Sequence, residues 1–244
     1  MRSSDRQSIN DILIQKKAQL GLIRELKWQY VDASNVDRYI AFMDEYFSFV
    51  STGRLKVRIM FTDNNHIVSG LERRHFEQQY FLLYYQFIKH AFGIRYCNPN
   101  ALDRVYFSVL PDRIPDSEEK TEEFRNYLSR ATNSAVLKDR NIFIRRDEIN
   151  DVDSSKHVIL QGLDIILGSI NSRLNGKLKE KPAGQRIRGK RTRAKERLYK
   201  SINQNIRNIY PNFNIGISTG TKGIMENRWH HPYRHWCFAS KSND

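Results

Sequence analysis

DSSKHVILQGLDIILGSI, residues Asp153–Ile170, is an apolar run with polar residues at regular positions. Placed on a helix at about 100° per residue, its polar and small residues and those just after it share one stripe roughly 60° wide: His157, Gln161, Asp164, Gly168, Asn171 and Asn175. A solvent-facing helix side is usually wider and consists of Lys, Glu and Arg. The stripe therefore predicts a helix face directed at a polar partner in the core or at the floor of a cleft.

Asp164 places a carboxylate in the middle of this apolar helical run. Ser154 or Ser155 can cap the helix and Asp153 suits its positive end, so the start of the segment is explained by capping. Asp164 lies two to three turns further on. A buried carboxylate there costs several kcal/mol unless it is paired or bound to metal. A structural and a functional interpretation both stay open at this point.

The rest of the chain alternates between helical and strand patterns. Periodicity predicts helices over 8–20, 36–50, 75–92, 121–131 and 194–209. Runs rich in β-branched and aromatic residues predict strands over 57–62, 105–110, 141–144 and 233–239, with 22–28 as a further short candidate. This alternation indicates an α/β fold with a largely parallel sheet.

Composition narrows the class of protein. The 244 residues are 39% hydrophobic and 11% aromatic, as in folded proteins. Cys97 and Cys237 cannot form a disulfide framework, so we expect a cytoplasmic protein. The N-terminus lacks an apolar signal core and the longest apolar runs are too short to span a bilayer, so no membrane association is expected.

The positive charge is concentrated in one segment. Lys177–Lys200 holds eleven Lys or Arg against two Glu, a net +9 of the chain's +14. We therefore divide the chain into an α/β core, 1–176, and a basic extension, 177–244, made of a linker, a helix and a last strand. Polyanions attract such a segment through counterion release, which favours nucleic acid over the alternative of a solvated linker. The arginine-rich part supplies most of the predicted phosphate contacts: Arg186, Arg188, Lys190, Arg191 and Arg193.

Three segments resemble a known family. In the opening segment, Asp153, Ser154, Lys156, Leu160, Gln161 and Asp164 match an Asp-Ser-Lys-like turn followed by a helix with Leu-Gln-x-x-Asp. ELKW, 25–28, is similar to a Glu-x-Lys-Trp strand, and VRIMFTD, ending in Asp63, is similar to the next strand. Together they resemble the family called domain of unknown function 3800 over roughly residues 10 to 176.

The resemblance implies a ribonuclease H-like fold, a mixed sheet flanked by helices, and metal-dependent phosphodiester cleavage. Two Mg²⁺ or Mn²⁺ ions would then be held by Asp164, Asp153 and Asp63. Gln161 would hold a metal-bound water or a phosphate, and Lys156 would meet a phosphate. On the alternative interpretation Asp153 is a helix-end charge and Asp63 belongs to an Asx turn. Glu25 is a weaker candidate.

The chain departs from the family at its start. The family's strand with Asp-Glu-Ser, which bears the central carboxylates, has no counterpart in MRSSDRQSIND or elsewhere. We therefore expect either a nuclease that lacks an N-terminal piece or a non-catalytic nucleic-acid-binding protein. An unpaired sheet edge would also favour self-association or a role as a subunit of a larger, defence-type complex.

The segment ENRWHHPYRHWCF, Glu226–Phe238, mixes histidine and arginine with aromatic residues. The spacing of its histidines and Cys237 matches no closed zinc site. Stacking on nucleic-acid bases is an alternative. A strand with alternating faces is the simplest interpretation.

Overall fold

In a computed structural model of the chain, residues 1–62, 83–84, 86–112, 118–131 and 134–238 are described. The chain divides into two compact units, Met1–Val57 with Ser154–Ile217, and Arg58–Asp153 with Ser218–Asp244. The expected boundary after residue 176 lies inside the first unit. The compact units and the predicted domains therefore divide the chain differently.

The helices and strands follow the predicted order. The helices among the described residues are α1 Ser3–Gln19, α2 Val36–Ser51, α3 Glu118–Ala131, α4 Ala135–Lys138, α5 Val158–Leu174, α6 Lys190–Ile209 and α7 Asn227–His230. The strands are β1 Val57–Thr62, β2 Val105–Tyr106, β3 Ile142–Phe143 and β4 Tyr233–Phe238. The protein thus combines helices and strands, which confirms the predicted α/β class.

The first unit is built from helices. α2 packs on α6 and α1, and α5 packs on α6 and α1. α6 buries Ala194, Leu198, Ile202 and Ile206, four residues at a spacing of four, so one side of the helix belongs to the core. The helix that begins in the basic segment therefore supplies one wall of this core.

The second unit contains small sheets. β2 and β3 pair in parallel with Val105 opposite Ile142, and isolated parallel bridges follow at Val109 and Asp112. β1 and β4 form a separate two-stranded sheet. The core around β3 and α3 consists of Phe124, Leu128, Ile144 and Ile149. The sheet expected from sequence is present here as short parallel pairs.

The strand suggested for 22–28 is wrong, because Leu22–Lys27 pairs with no strand and Trp28–Tyr30 forms a 3₁₀ turn. Much of the helix predicted for 75–92 lies outside the described residues, and Phe87–Ala91 is a π-helical turn. Among the described helices, none has the length and apolar character needed to cross a membrane.

Candidate functional site

The polar stripe of α5 binds the backbone of the segment Leu22–Trp28. Gln161 Oε1 accepts the backbone N–H of Leu26 at 3.1 Å and Lys17 Nζ at 3.0 Å. Its Nε2 donates to the carbonyls of Ser154 at 3.0 Å and Ser155 at 2.9 Å. The residue is 2% exposed. These four bonds use both the oxygen and the nitrogen of the amide. Gln161 therefore acts as a clamp that joins the segment Leu22–Trp28 to the turn at Ser154 and Ser155.

Asp164 continues the clamp one turn later. Its Oδ2 accepts the backbone N–H of Trp28 at 2.9 Å, two residues beyond Leu26. Since alternate N–H groups of an extended segment point the same way, Gln161 and Asp164 act as a strand partner would. The expectation that Asp164 is buried is wrong, because its side chain is exposed. Its charge therefore requires no metal ion for compensation.

Small residues in and beside the stripe allow close packing. A Cβ on Gly168 would lie 2.4 Å from Trp28 Cβ, and one on Gly162 would lie 2.3 Å from Tyr46 Cε2. The indole Nε1 of Trp28 donates to Ser172 Oγ at 2.7 Å. The missing side chain of Gly168 thus makes room for the Trp28 side chain. Neither a cleft nor a cofactor is needed to explain a glycine at this position.

A group of charges surrounds the clamp. Lys27 Nζ lies 3.0 Å from Glu25 Oε2, and Ser154 Oγ donates to Glu25 Oε1 at 3.1 Å. The bond to Glu25 raises the pKa of Lys27, with a smaller contribution from the charge of Asp164. The structure therefore brings together the ELKW segment and the Gln-Asp helix, the two segments on which the family resemblance mainly rests.

The metal site that the resemblance implies would be formed by Asp164, Asp153 and Asp63. The described residues contain no group of three or more His, Cys, Asp or Glu side chains arranged for a metal ion. Gln161 is engaged by protein groups, Asp153 is half-buried and Lys156 is exposed. Asp63 lies outside the described residues. Of the three implied ligands, the structure therefore places Asp164 and Asp153.

The predicted phosphate-binding residues fall into two classes. Arg188 donates to the carbonyl of Leu178 at 2.8 Å and pairs with Glu196 at 2.7 Å. Arg191 donates to the carbonyl of Gln29. The remaining three have exposed side chains near the start of α6: Arg186, Lys190 and Arg193. Arg188 and Arg191 thus make contacts within the protein, whereas the three exposed side chains are accessible to a binding partner.

A groove in the first unit is lined by basic side chains, of which Arg173 and Arg207 lie outside the basic segment Lys177–Lys200. Its volume is about 460 Å³, and its lining includes one acid, Glu196, and four basic residues: Arg173, Lys179, Lys200 and Arg207. Glu196 itself pairs with Arg188 and Lys200. Residues 196, 200, 203 and 207 are spaced to share one face of α6. Helical periodicity could therefore have predicted this part of the lining, whereas the net charge of the segment could not.

Comparisons with known proteins yield no relative. No protein family, curated protein or solved structure matches the chain. The resemblance to domain of unknown function 3800 therefore remains a prediction carried by the quoted segments.

Proposed function

We propose that this protein binds nucleic acid through the basic segment Lys177–Lys200 on its first unit. The observation that carries the proposal is that the side chains of Arg186, Lys190 and Arg193, in the first turn of α6 or shortly before it, are exposed. The helix dipole adds positive potential at that end. Phosphates are the anions that such a surface attracts.

A second group of cations supports the same function. Burial lowers the pKa of Lys195, and the charges of Arg191 and Lys177 lower it further. Lys195 Nζ lies 5.2 Å from the centre of the Trp28 ring. The fold therefore holds like charges close together. A polyanion would relieve this repulsion.

The test is a salt titration of DNA and RNA binding with charge-matched variants. Changing Arg186, Lys190 and Arg193 to Gln should reduce the slope of log K against log salt by about 2 to 3 for duplex DNA. The control changes Arg6, Arg24 and Arg104, exposed residues elsewhere, so that net charge falls equally. Equal slopes for the two triple variants would refute binding through this segment.

The nuclease hypothesis is the second candidate. It is supported by the family resemblance, with its ribonuclease H-like fold, and by the approach of Glu25 and Asp164 to Lys27. It retains Asp164, Asp153 and Asp63 as its carboxylates. A cleavage assay with Mg²⁺ or Mn²⁺ and Asp164→Asn tests it. Cleavage that survives this substitution removes Asp164 from the mechanism, and absence of cleavage in the unaltered protein leaves binding as the function.

A further inference from the structure

The groove of about 460 Å³ in the first unit lies beside α6 between Glu196 and Arg207, and we call it the α6 groove. Its lining comes from four parts of the chain. These are the last turn of α5 with Arg173, the turn with Lys179, α6 itself and the segment 213–215. All four belong to the first unit. The fold of this unit thus places cations from separate elements around one space.

Three cations of the α6 groove are not neutralised by the protein. The side chains of Arg173, Lys179 and Arg207 are exposed. In the part of the chain that the structure describes, none of these side chains makes a hydrogen bond or an ion pair. Glu196 is the only acid among the described residues of the lining, and Lys200 Nζ lies 3.3 Å from its Oε1. The groove therefore keeps a net positive charge.

The α6 groove also contains neutral polar side chains. Tyr199, which is 9% exposed, lines it together with the amides of Asn203 and Asn214. Within the described ranges, none of these three side chains has a hydrogen-bond partner. Because a largely buried hydroxyl normally has a partner, Tyr199 indicates a polar ligand. The groove thus offers hydrogen bonds as well as positive charge.

A row of cations on α6 connects the groove with the start of the helix. Arg193, Lys200 and Arg207 follow one another at intervals of seven residues, and their side chains are exposed. Since seven residues are nearly two helical turns, the three share one side of α6 and span about 21 Å along its axis. Arg193 belongs to the proposed nucleic-acid surface, and the other two line the groove. The row therefore joins the groove to that surface.

We infer that the α6 groove holds the sugar-phosphate backbone of single-stranded nucleic acid. The inference rests on the proposed function and names the substrate of that site. A groove of small-molecule size admits one strand, whereas a duplex is too wide to enter it. Proteins that bind single strands without sequence preference use a positively charged groove that follows the backbone. The amides and the tyrosine hydroxyl can then bind sugar hydroxyls or base edges.

The test compares two variants that remove the same charge. Arg173→Gln with Arg207→Gln removes two groove cations whose side chains bind no other described residue, so the fold should persist. Fluorescence anisotropy with a labelled oligothymidylate should show binding that this groove variant weakens by about tenfold or more. The slope of log K against log salt should fall by about 1 to 1.5.

The control variant, Arg6→Gln with Arg24→Gln, removes two exposed charges of the same unit outside the groove. It should stay within about twofold of the unaltered protein. On duplex DNA, the groove variant and the control should also agree within about twofold. An oligouridylate bound more tightly than the oligothymidylate would assign RNA as the strand, and equal binding would assign recognition of the backbone common to both.

Three results would overturn the inference: single-strand binding that is equal in the groove variant and the control, duplex binding weakened as much as single-strand binding, or thymidine 5′-monophosphate bound as tightly as the oligothymidylate. The variant of Arg186, Lys190 and Arg193 separates this failure from that of the proposed function. If it weakens binding while the groove variant does not, the basic segment remains the interface without the groove. If the unaltered protein binds no nucleic acid, both proposals are wrong.

Discussion

Replacing Gln161 with Leu tests whether the stripe on α5 is a structural clamp. The substitution removes four hydrogen bonds at a residue that is 2% exposed. The backbone N–H of Leu26, itself 1% exposed, would lose its acceptor. A buried donor without a partner costs about 1–3 kcal/mol. The carbonyls of Ser154 and Ser155 lie in a more open turn, so we expect a total loss of roughly 2–4 kcal/mol in the free energy of unfolding.

Urea unfolding followed by far-ultraviolet circular dichroism measures this loss. Fluorescence provides a second probe, because Trp28 lies beside the clamp. The control is Asn171→Leu, at an exposed position of the same stripe, where we expect a change within about 0.5 kcal/mol. If Gln161→Leu unfolds at the urea concentration of the unaltered protein, or if the control loses as much, the clamp is not what stabilises this unit.

Two further predictions concern packing and pH. Gly168→Ala should lower the free energy of unfolding by about 1–3 kcal/mol, because its Cβ would lie 2.4 Å from Trp28. Thermal denaturation measures the loss, with Gly189→Ala as the control, because a Cβ there would lie 3.9 Å from its nearest neighbour. Equal destabilisation by the two substitutions would contradict the prediction. Burial lowers the pKa of His235 from 6.5 to about 4, so the unfolded state takes up a proton that the folded state does not. Stability present above pH 6.5 should therefore decline toward pH 4 by about 3 kcal/mol. Urea midpoints across this range check it, and an unchanged pH dependence in His235→Gln would show that another group is responsible.

Several elements could be predicted because their signals are local. The apolar spacing of residues 36–50 predicted α2, which ends within one residue of that range. The β-branched run 57–62 coincides with β1. Helical periodicity also placed Gln161 and Asp164 on one face of α5. In each case residues within a few positions of one another carry the information.

The partner of that face could not be predicted. Periodicity states which side chains share a side of a helix, and it is silent on whether a cavity, a loop or solvent lies opposite. The narrow polar stripe is compatible with a polar partner in the core and with the floor of a cleft. The backbone of Leu26 and Trp28, some 135 positions earlier in the chain, faces it. The same limit applies to the groove beside α6, whose cations come from three separate elements.

Sequence alone determined the class of elements, their order and the concentration of positive charge in Lys177–Lys200. Tertiary structure decided that α6 belongs to the core of the first unit, that Asp164 is exposed, and that Arg173 and Arg207 line one groove. The physical reason is the range of the interactions involved. Backbone sterics and side-chain periodicity act over a few residues, whereas burial and the meeting of charges depend on segments brought together only when the chain folds.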